Sequence, residues 1–308
     1  MVVRKALRRS LAQVRHVTPV PPGAARGLVA DVYAQVERDF GMLAPPVALH
    51  SAAPEVMAGV WMLLRESLLA RGLVPRAAKE LVATEVSRAN ACPYCVDVHG
   101  ATLRGLGGPV PGMPEPGPEV TGTRLTFHYL NRMVNVFLGE SPLPPEVPGA
   151  VRGGALRVLG TMMGASARRP RPPGESLRLL PAAPLPDELR WAEDSAHVAG
   201  AVARATAAVS QAGERSVPEP VRELVTAEVA KWDGAAPGLS RHWTDDAVAV
   251  LDSGHRPAGR LALLTAMASY QAGSAVAEFR EREPGDRALL ELTAWASMVA
   301  ARARAGLS

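Results

Sequence analysis

The 308-residue chain is 47% hydrophobic, which is enough for a core in one large domain or two of ordinary size. Its formal net charge is only +4, and it has no basic helix interleaved with aromatics and no recognised nucleic-acid motif, so a nucleic-acid partner is excluded. No stretch is long and apolar enough to span a bilayer, and no apolar segment follows the basic start; the expectation is a cytoplasmic protein with no membrane partner.

Aromatics make up only 4% of the chain, and Ala, Leu and Val carry the apolar load. No run of alternating β-branched residues is bounded by tight turns, while 28 prolines and 28 glycines sit mostly between helically periodic segments. This composition predicts an all-α fold with Pro/Gly-rich connectors. Met1 to His16, with Arg4, Lys5, Arg8, Arg9 and Arg15 around Leu7, Leu11 and Val14, reads as a short amphipathic surface helix or tail. Residues 24–41 follow as an amphipathic helix, with Leu28, Val32, Val36 and Phe40 on one stripe. Pro45-Pro46 breaks the chain, and 54–71 is the next helix.

A helix then opens after Val74-Pro75, with Ala78, Leu81, Val82 and Val86 at helical spacing, and stops near Asn90-Ala91. Pro93 suits a first helical position, so a new helix begins with Cys92 as its cap and runs to about Leu106, where Gly107-Gly108 ends it. Relative to Cys92, Cys95 and His99 lie at i+3 and i+7, on one face. Unpaired N–H groups and the positive end of the helix dipole favour a thiolate there. His99 is placed to hold or relay a proton, and Glu80 does the same if the two helices pack side by side. Which cysteine attacks does not follow from the spacing.

Beyond the pair, 107–122 reads as a Gly/Pro-rich loop, and 123–139 as a helix whose core face is Phe127, Leu130, Val134 and Phe137–Leu138. His128 on it reads as structural or solvated, with a pocket role as the alternative. Residues 140–148 form a proline-rich turn, 149–163 a helix, and 164–186, rich in Pro and Arg, an irregular or mobile linker. This divides the chain into a first helical domain, 1–163, the linker 164–186, and a second helical domain, 187–308. In the second, 187–212, 244–254, 258–271 and 285–305 read as helices, with Trp295 and Met298 packing inside.

The second half repeats the first. Val74-Pro75, Glu80-Leu81-Val82, Glu85-Val86 and His99 align with Val217-Pro218, Glu223-Leu224-Val225, Glu228-Val229 and His242, every pair 143 residues apart. The positions of the cysteines hold Ala235 and Gly238. The expectation is an internal duplication whose degenerate second copy packs on the first and keeps Glu223 and His242 as a relic.

Two cysteines three apart read as a redox dithiol in a compartment that keeps thiols reduced. A zinc site normally takes four ligands, and the chain has no third cysteine and no second Cys/His pair at finger spacing. The motif Glu80-x11-Cys92-x2-Cys95-x3-His99, within Asn90-Ala91-Cys92-Pro93-Tyr94-Cys95, resembles the signature of the AhpD-like alkylhydroperoxidase branch of the carboxymuconolactone decarboxylase superfamily. That resemblance implies an AhpD-like helical bundle and a thiol-dependent hydroperoxide reductase, a peroxidase of peroxiredoxin type with an antioxidant role. It implies Cys95 as the peroxidatic thiolate, Cys92 as the resolving thiol that closes a redox-active disulfide, and His99 and Glu80 as a proton relay. It also implies a hydroperoxide substrate, an external dithiol resembling dihydrolipoamide on a carrier protein, and a homo-oligomer. No flavin or nucleotide motif supplies electrons internally, so no cofactor is expected. Some members carry a second histidine just before the second cysteine, where this chain has Tyr94. Three rivals stand beside this reading: a cysteine-independent enzyme of the superfamily working at the Glu/His pair, a non-catalytic redox sensor, and a metal site.

Overall fold

The computed structural model describes residues 11–108, 112–143 and 147–306, and over these the chain is all-α, with no strand among the described residues. Most of the expected N-terminal amphipathic helix, residues 1–10, lies outside the described residues. The principal helices are α1 (Gly27–Phe40), α2 (Pro54–Leu64), α3 (Arg76–Ala89), α4 (Pro93–Gly105), α5 (Pro118–Phe137) and α6 (Gly149–Ala167) in the first half. The second half holds α7 (Ala196–Ser216), α8 (Glu219–Lys231), α9 (His242–Val248), α10 (Arg256–Met267) and α11 (Asp286–Ala305).

The centre of the molecule is built from two helix pairs, α2 on α7 and α5 on α11. The sequence dictates their central place. α2 is apolar on every side and buries Val56 through Leu64 without a break, and a helix with no polar face has to be enclosed. In α5 the core face includes Phe127, Leu130, Val134 and Phe137, all buried, and Trp295 and Met298 of α11 are buried as well. One continuous apolar cluster runs through both halves.

α3 packs on α5, α4 on α3, and α6 on α4, so the site helices sit on the flank of the first half. The α4/α6 crossing is set by glycine. A Cβ on Gly105 would lie 2.0 Å from the Gly160 carbonyl oxygen, so the two backbones touch where any side chain would part them.

Several boundaries differ from the sequence expectation for local reasons. α5 starts at Pro118, five residues before Thr123, because proline fits a first helical turn. α6 continues to Ala167, into the stretch read as linker. The remainder, up to Pro186, is irregular apart from one turn at Leu177–Leu179, but it is pinned. α2 ends in a wider turn, Arg65–Leu69, whose Arg65 and Glu66 are fully buried. Arg65 pairs at 2.7 Å with each of Asp39, Glu66 and Glu175, and Glu66 accepts from Gly174 N at 2.7 Å and Ser176 Oγ at 2.6 Å. Two buried charges thus find their partners in a segment that looks featureless in sequence.

Candidate active site

α3 and α4 form a helical hairpin whose tight link is Asn90, Ala91 and Cys92. Ala91 takes a left-handed backbone conformation, φ 48°, unusual for a residue with a Cβ. Cys92 caps α4 and Pro93 is its first residue, as the spacing predicts. Cys92 N donates to Ser87 O at 2.9 Å, which folds the cap back onto α3.

The hairpin brings all four predicted residues into one region. The Cys92 and Cys95 sulfurs are 2.9 Å apart, both free thiols and both buried. His99 Nδ1 lies 2.7 Å from Glu80 Oε2, and Arg76 Nη2 donates to Glu80 Oε1 at 2.6 Å. Glu80 is fully buried, which by itself would raise its carboxyl; Arg76 and His99 outweigh that and hold it below the ordinary carboxylate range. An ionised carboxylate only accepts, so Nδ1–H of His99 donates to it and Nε2 is the nitrogen left to take a proton. The ring is also held edge-on to Phe127, with centroids 4.4 Å apart.

A cavity of about 160 Å³ opens onto this region. Its walls are apolar, including Phe40, Leu64, Val98, Phe127, Leu159 and Met163, and its polar lining is Gln13, Tyr94, Cys95 and His99. Cys95 lines the cavity and Cys92 does not. The cavity wall was not legible as such in sequence: Gln13, Phe40, Pro142 and Leu159 are far apart in the chain and meet only in the fold.

One expectation fails locally. The Cys95 thiol is not acidified by its place in the first turn of α4. Burial pushes its pKa well above the ordinary value, the neighbouring Cys92 sulfur adds to the rise, and the Asn131 amide opposes it only partly. Desolvation in an apolar pocket disfavours the charged form. Tyr94 is buried beside the sulfurs and its hydroxyl is also pushed up, mainly by burial. Glu85 pairs with Arg88 on an exposed face, away from the cavity. His128 does not line the cavity; its Nδ1 accepts from Asn90 Nδ2 at 3.1 Å.

Among the described residues, no three His, Cys, Asp or Glu side chains converge as a metal site would require. No described helix is long and apolar enough to cross a membrane.

The corresponding residues of the second half do not meet. Glu223 is exposed on α8, and His242, with 92% of its side chain exposed, lies 3.7 Å from Asp245 on the surface.

Known proteins place the chain. The model of the carboxymuconolactone decarboxylase family matches residues 54–109, the stretch that holds α2, α3 and α4. An alkyl hydroperoxide reductase of Mycobacterium tuberculosis is 35% identical over 94% of this chain and 93% of its own length. No solved structure matches. With the Glu80–Cys92–Cys95–His99 constellation assembled on an all-α bundle and a relative of that extent, the chain belongs to the AhpD-like branch of the carboxymuconolactone decarboxylase superfamily.

Proposed function

We propose that the protein is a cytoplasmic thiol peroxidase that reduces organic hydroperoxides, in keeping with the name of its mycobacterial relative. The observation that carries this reading is the division of labour between the sulfurs. Cys95 faces an apolar cavity together with His99, while Cys92, 2.9 Å behind it, is shielded from that cavity. The sulfur that meets the substrate is Cys95, and the sulfur that can only meet Cys95 is Cys92.

The chemistry follows. Because burial holds the Cys95 proton tightly, it has to be taken by a base at the moment of attack. His99 Nε2 accepts it through an intervening water, and Glu80 stabilises the imidazolium. The Cys95 thiolate then attacks the outer oxygen of R–O–OH, and the O–O bond breaks. The alkoxide leaves with the proton from His99 as an alcohol, and Cys95 becomes a sulfenic acid. Cys92 condenses with it, releasing water and forming the disulfide. An external dithiol, of the dihydrolipoamide kind on a carrier protein, reopens it by exchange and leaves oxidised.

Two wider readings belong to the same proposal. The second half is a degenerate copy of the first, supported by the constant offset of 143 residues and by α8 starting after Pro218 as α3 starts after Pro75. The protein also self-associates, and α6 offers a face for it: Val151, Val158 and Met162 project from one side, 53%, 61% and 66% exposed.

The test is turnover of tert-butyl hydroperoxide with excess dihydrolipoamide. The expected result is turnover in the wild type and none in Cys95→Ser or Cys92→Ser. An intact, reducible Cys92–Cys95 disulfide without turnover would replace the peroxidase with a redox sensor. Activity that survives loss of both thiols would replace it with chemistry at Glu80 and His99.

A further inference from the structure

Arg132 is buried in α5, 3% exposed, at the junction between the halves. Its Nε donates to Ala266 O at 2.8 Å, and its Nη1 to Asn90 Oδ1 at 3.2 Å and His128 O at 2.5 Å. These are neutral acceptors. Its guanidinium lies over the Trp232 ring, 5.8 Å from the centroid, and Arg304 lies against the same ring at 5.8 Å. Arg304 Nη1 donates to the Asp233 main-chain oxygen at 2.7 Å, again a neutral acceptor.

Among the described residues no carboxylate pairs with either arginine. The contrast with Arg65 is direct: that side chain is buried as deeply and is met by three carboxylates. A buried guanidinium with no counter-charge is unfavourable, and here two cations flank one aromatic ring. Burial and the charge of Arg304 together draw Arg132 down to about 9. Burial, with Arg132, Arg304 and Arg124, also holds His128 well below its ordinary value, so the positive field extends beyond the pair.

A cavity of about 50 Å³ opens beside Arg132, lined among others by Asn90, Trp232, Gly234, Ser269 and Tyr270, with no acidic residue in its wall. A single water needs on the order of 10–15 Å³ of such space, so the cavity suits one small polyatomic guest. Donors face it. Arg132 Nη2 has no partner among the described residues, and Ser269 Oγ already accepts from Asn135 Nδ2 at 3.0 Å, which leaves its own O–H to donate.

We propose that this cavity is a binding site for a small oxyanion, of the size and chemistry of inorganic phosphate or a carboxylate, held by Arg132 and Ser269 with the charge of Arg304 alongside. The anion supplies the counter-charge that the chain itself withholds. It also grips the arginine that holds Asn90, two residues before Cys92, so the site lies on the back of the loop that sets the thiol pair. This site is separate from the cavity at Cys95 and does not depend on the peroxidase reading.

The experiment is a thermal-unfolding titration of the whole protein with sodium phosphate, sodium acetate and sodium chloride at matched ionic strength, with calorimetric titration of whichever anion shifts the midpoint. The expected result is a saturable rise with phosphate or acetate beyond that with chloride, because a ligand that binds only the folded state stabilises it by mass action. Which of the two saturates first separates a phosphate from a carboxylate source. Arg132→Met should abolish the response, Arg304→Gln should weaken apparent affinity at least tenfold, and Ser269→Ala should weaken it less. Should Arg132→Met not fold, the other two variants carry the test. A shift no greater than with chloride, or one unchanged in Arg304→Gln and Ser269→Ala, would overturn the proposal.

Discussion

The two halves carry the same pair of residue types at the same spacing, and only one half makes a site of them. Glu80 and His99 meet at 2.7 Å under a buried roof; Glu223 and His242 stay on the surface and apart. The difference lies in where the second helix begins. α4 starts at Pro93, so His99 sits in its second turn and faces back onto α3. In the second half α8 ends at Lys231, the chain runs irregularly, and α9 starts only at His242. Without the turns that precede it, that histidine has no helix to aim it. Residue types at a fixed spacing make a site only when the local backbone delivers them to one face.

The comparison breaks most sharply at the acid/base pair. On the proposed mechanism, Glu80→Gln or His99→Gln should lower kcat for hydroperoxide reduction by roughly 10²–10⁴-fold, the usual worth of a positioned proton relay. Glu223→Gln and His242→Gln should leave it within about twofold. Steady-state kinetics on the four variants decides, and comparable losses in both halves would sink the assignment.

The second half also resists repair. Placing Ala235→Cys and Gly238→Cys in a chain that carries Cys92→Ser and Cys95→Ser should give no peroxidase activity, because no helix covers those positions. Gly238 sits at φ 84°, where a side chain costs about 1–2 kcal/mol, so this chain should also unfold earlier in denaturant.

A third expected effect concerns the scaffold. Gly105→Ala drives a methyl into the Gly160 carbonyl and should destabilise the protein by about 1–3 kcal/mol while loosening the α6 wall of the cavity. Urea unfolding and the KM for a bulky hydroperoxide read the two consequences. An unchanged midpoint would mean that the crossing is slack.

The smallest effects are in pH. Cys95 is held protonated above the ordinary thiol range, so its alkylation by iodoacetamide should still be rising at pH 9 rather than levelling off near neutrality. Glu80 is held low by Arg76 and His99, so its ionised form persists well into acid; removing Arg76 raises that pKa, and the acid limb of kcat should move to higher pH in Arg76→Gln. A limb that stays put would detach Glu80 from the relay.

Much of this was legible in the chain. The helical hairpin, its cap at Cys92, and the shared face of Cys95 and His99 follow from Pro93 and from periodicity, which are local signals. The buried faces of α5 and α11 follow from the same rule. What sequence could not deliver were the long-range meetings. Arg65 and Glu66 look like solvated helix residues until Asp39, Glu175 and Ser176 fold around them. Arg76 looks like a first-turn cation until Glu80 is buried beneath it. The helix terminus that favours a thiolate is readable from Pro93, whereas the apolar wall around the thiol comes from Phe40, Leu64, Phe127 and Leu159, scattered over the chain.

The most direct test of the division between the sulfurs is a single-turnover experiment. Reduced Cys92→Ser is mixed with one equivalent of cumene hydroperoxide in the presence of dimedone, and the alcohol formed and the site of the adduct are measured by mass spectrometry. The account predicts one equivalent of cumyl alcohol and a dimedone adduct on Cys95, with neither product from Cys95→Ser. An adduct on Cys92 in Cys95→Ser, or alcohol formed with no adduct on Cys95, would contradict it.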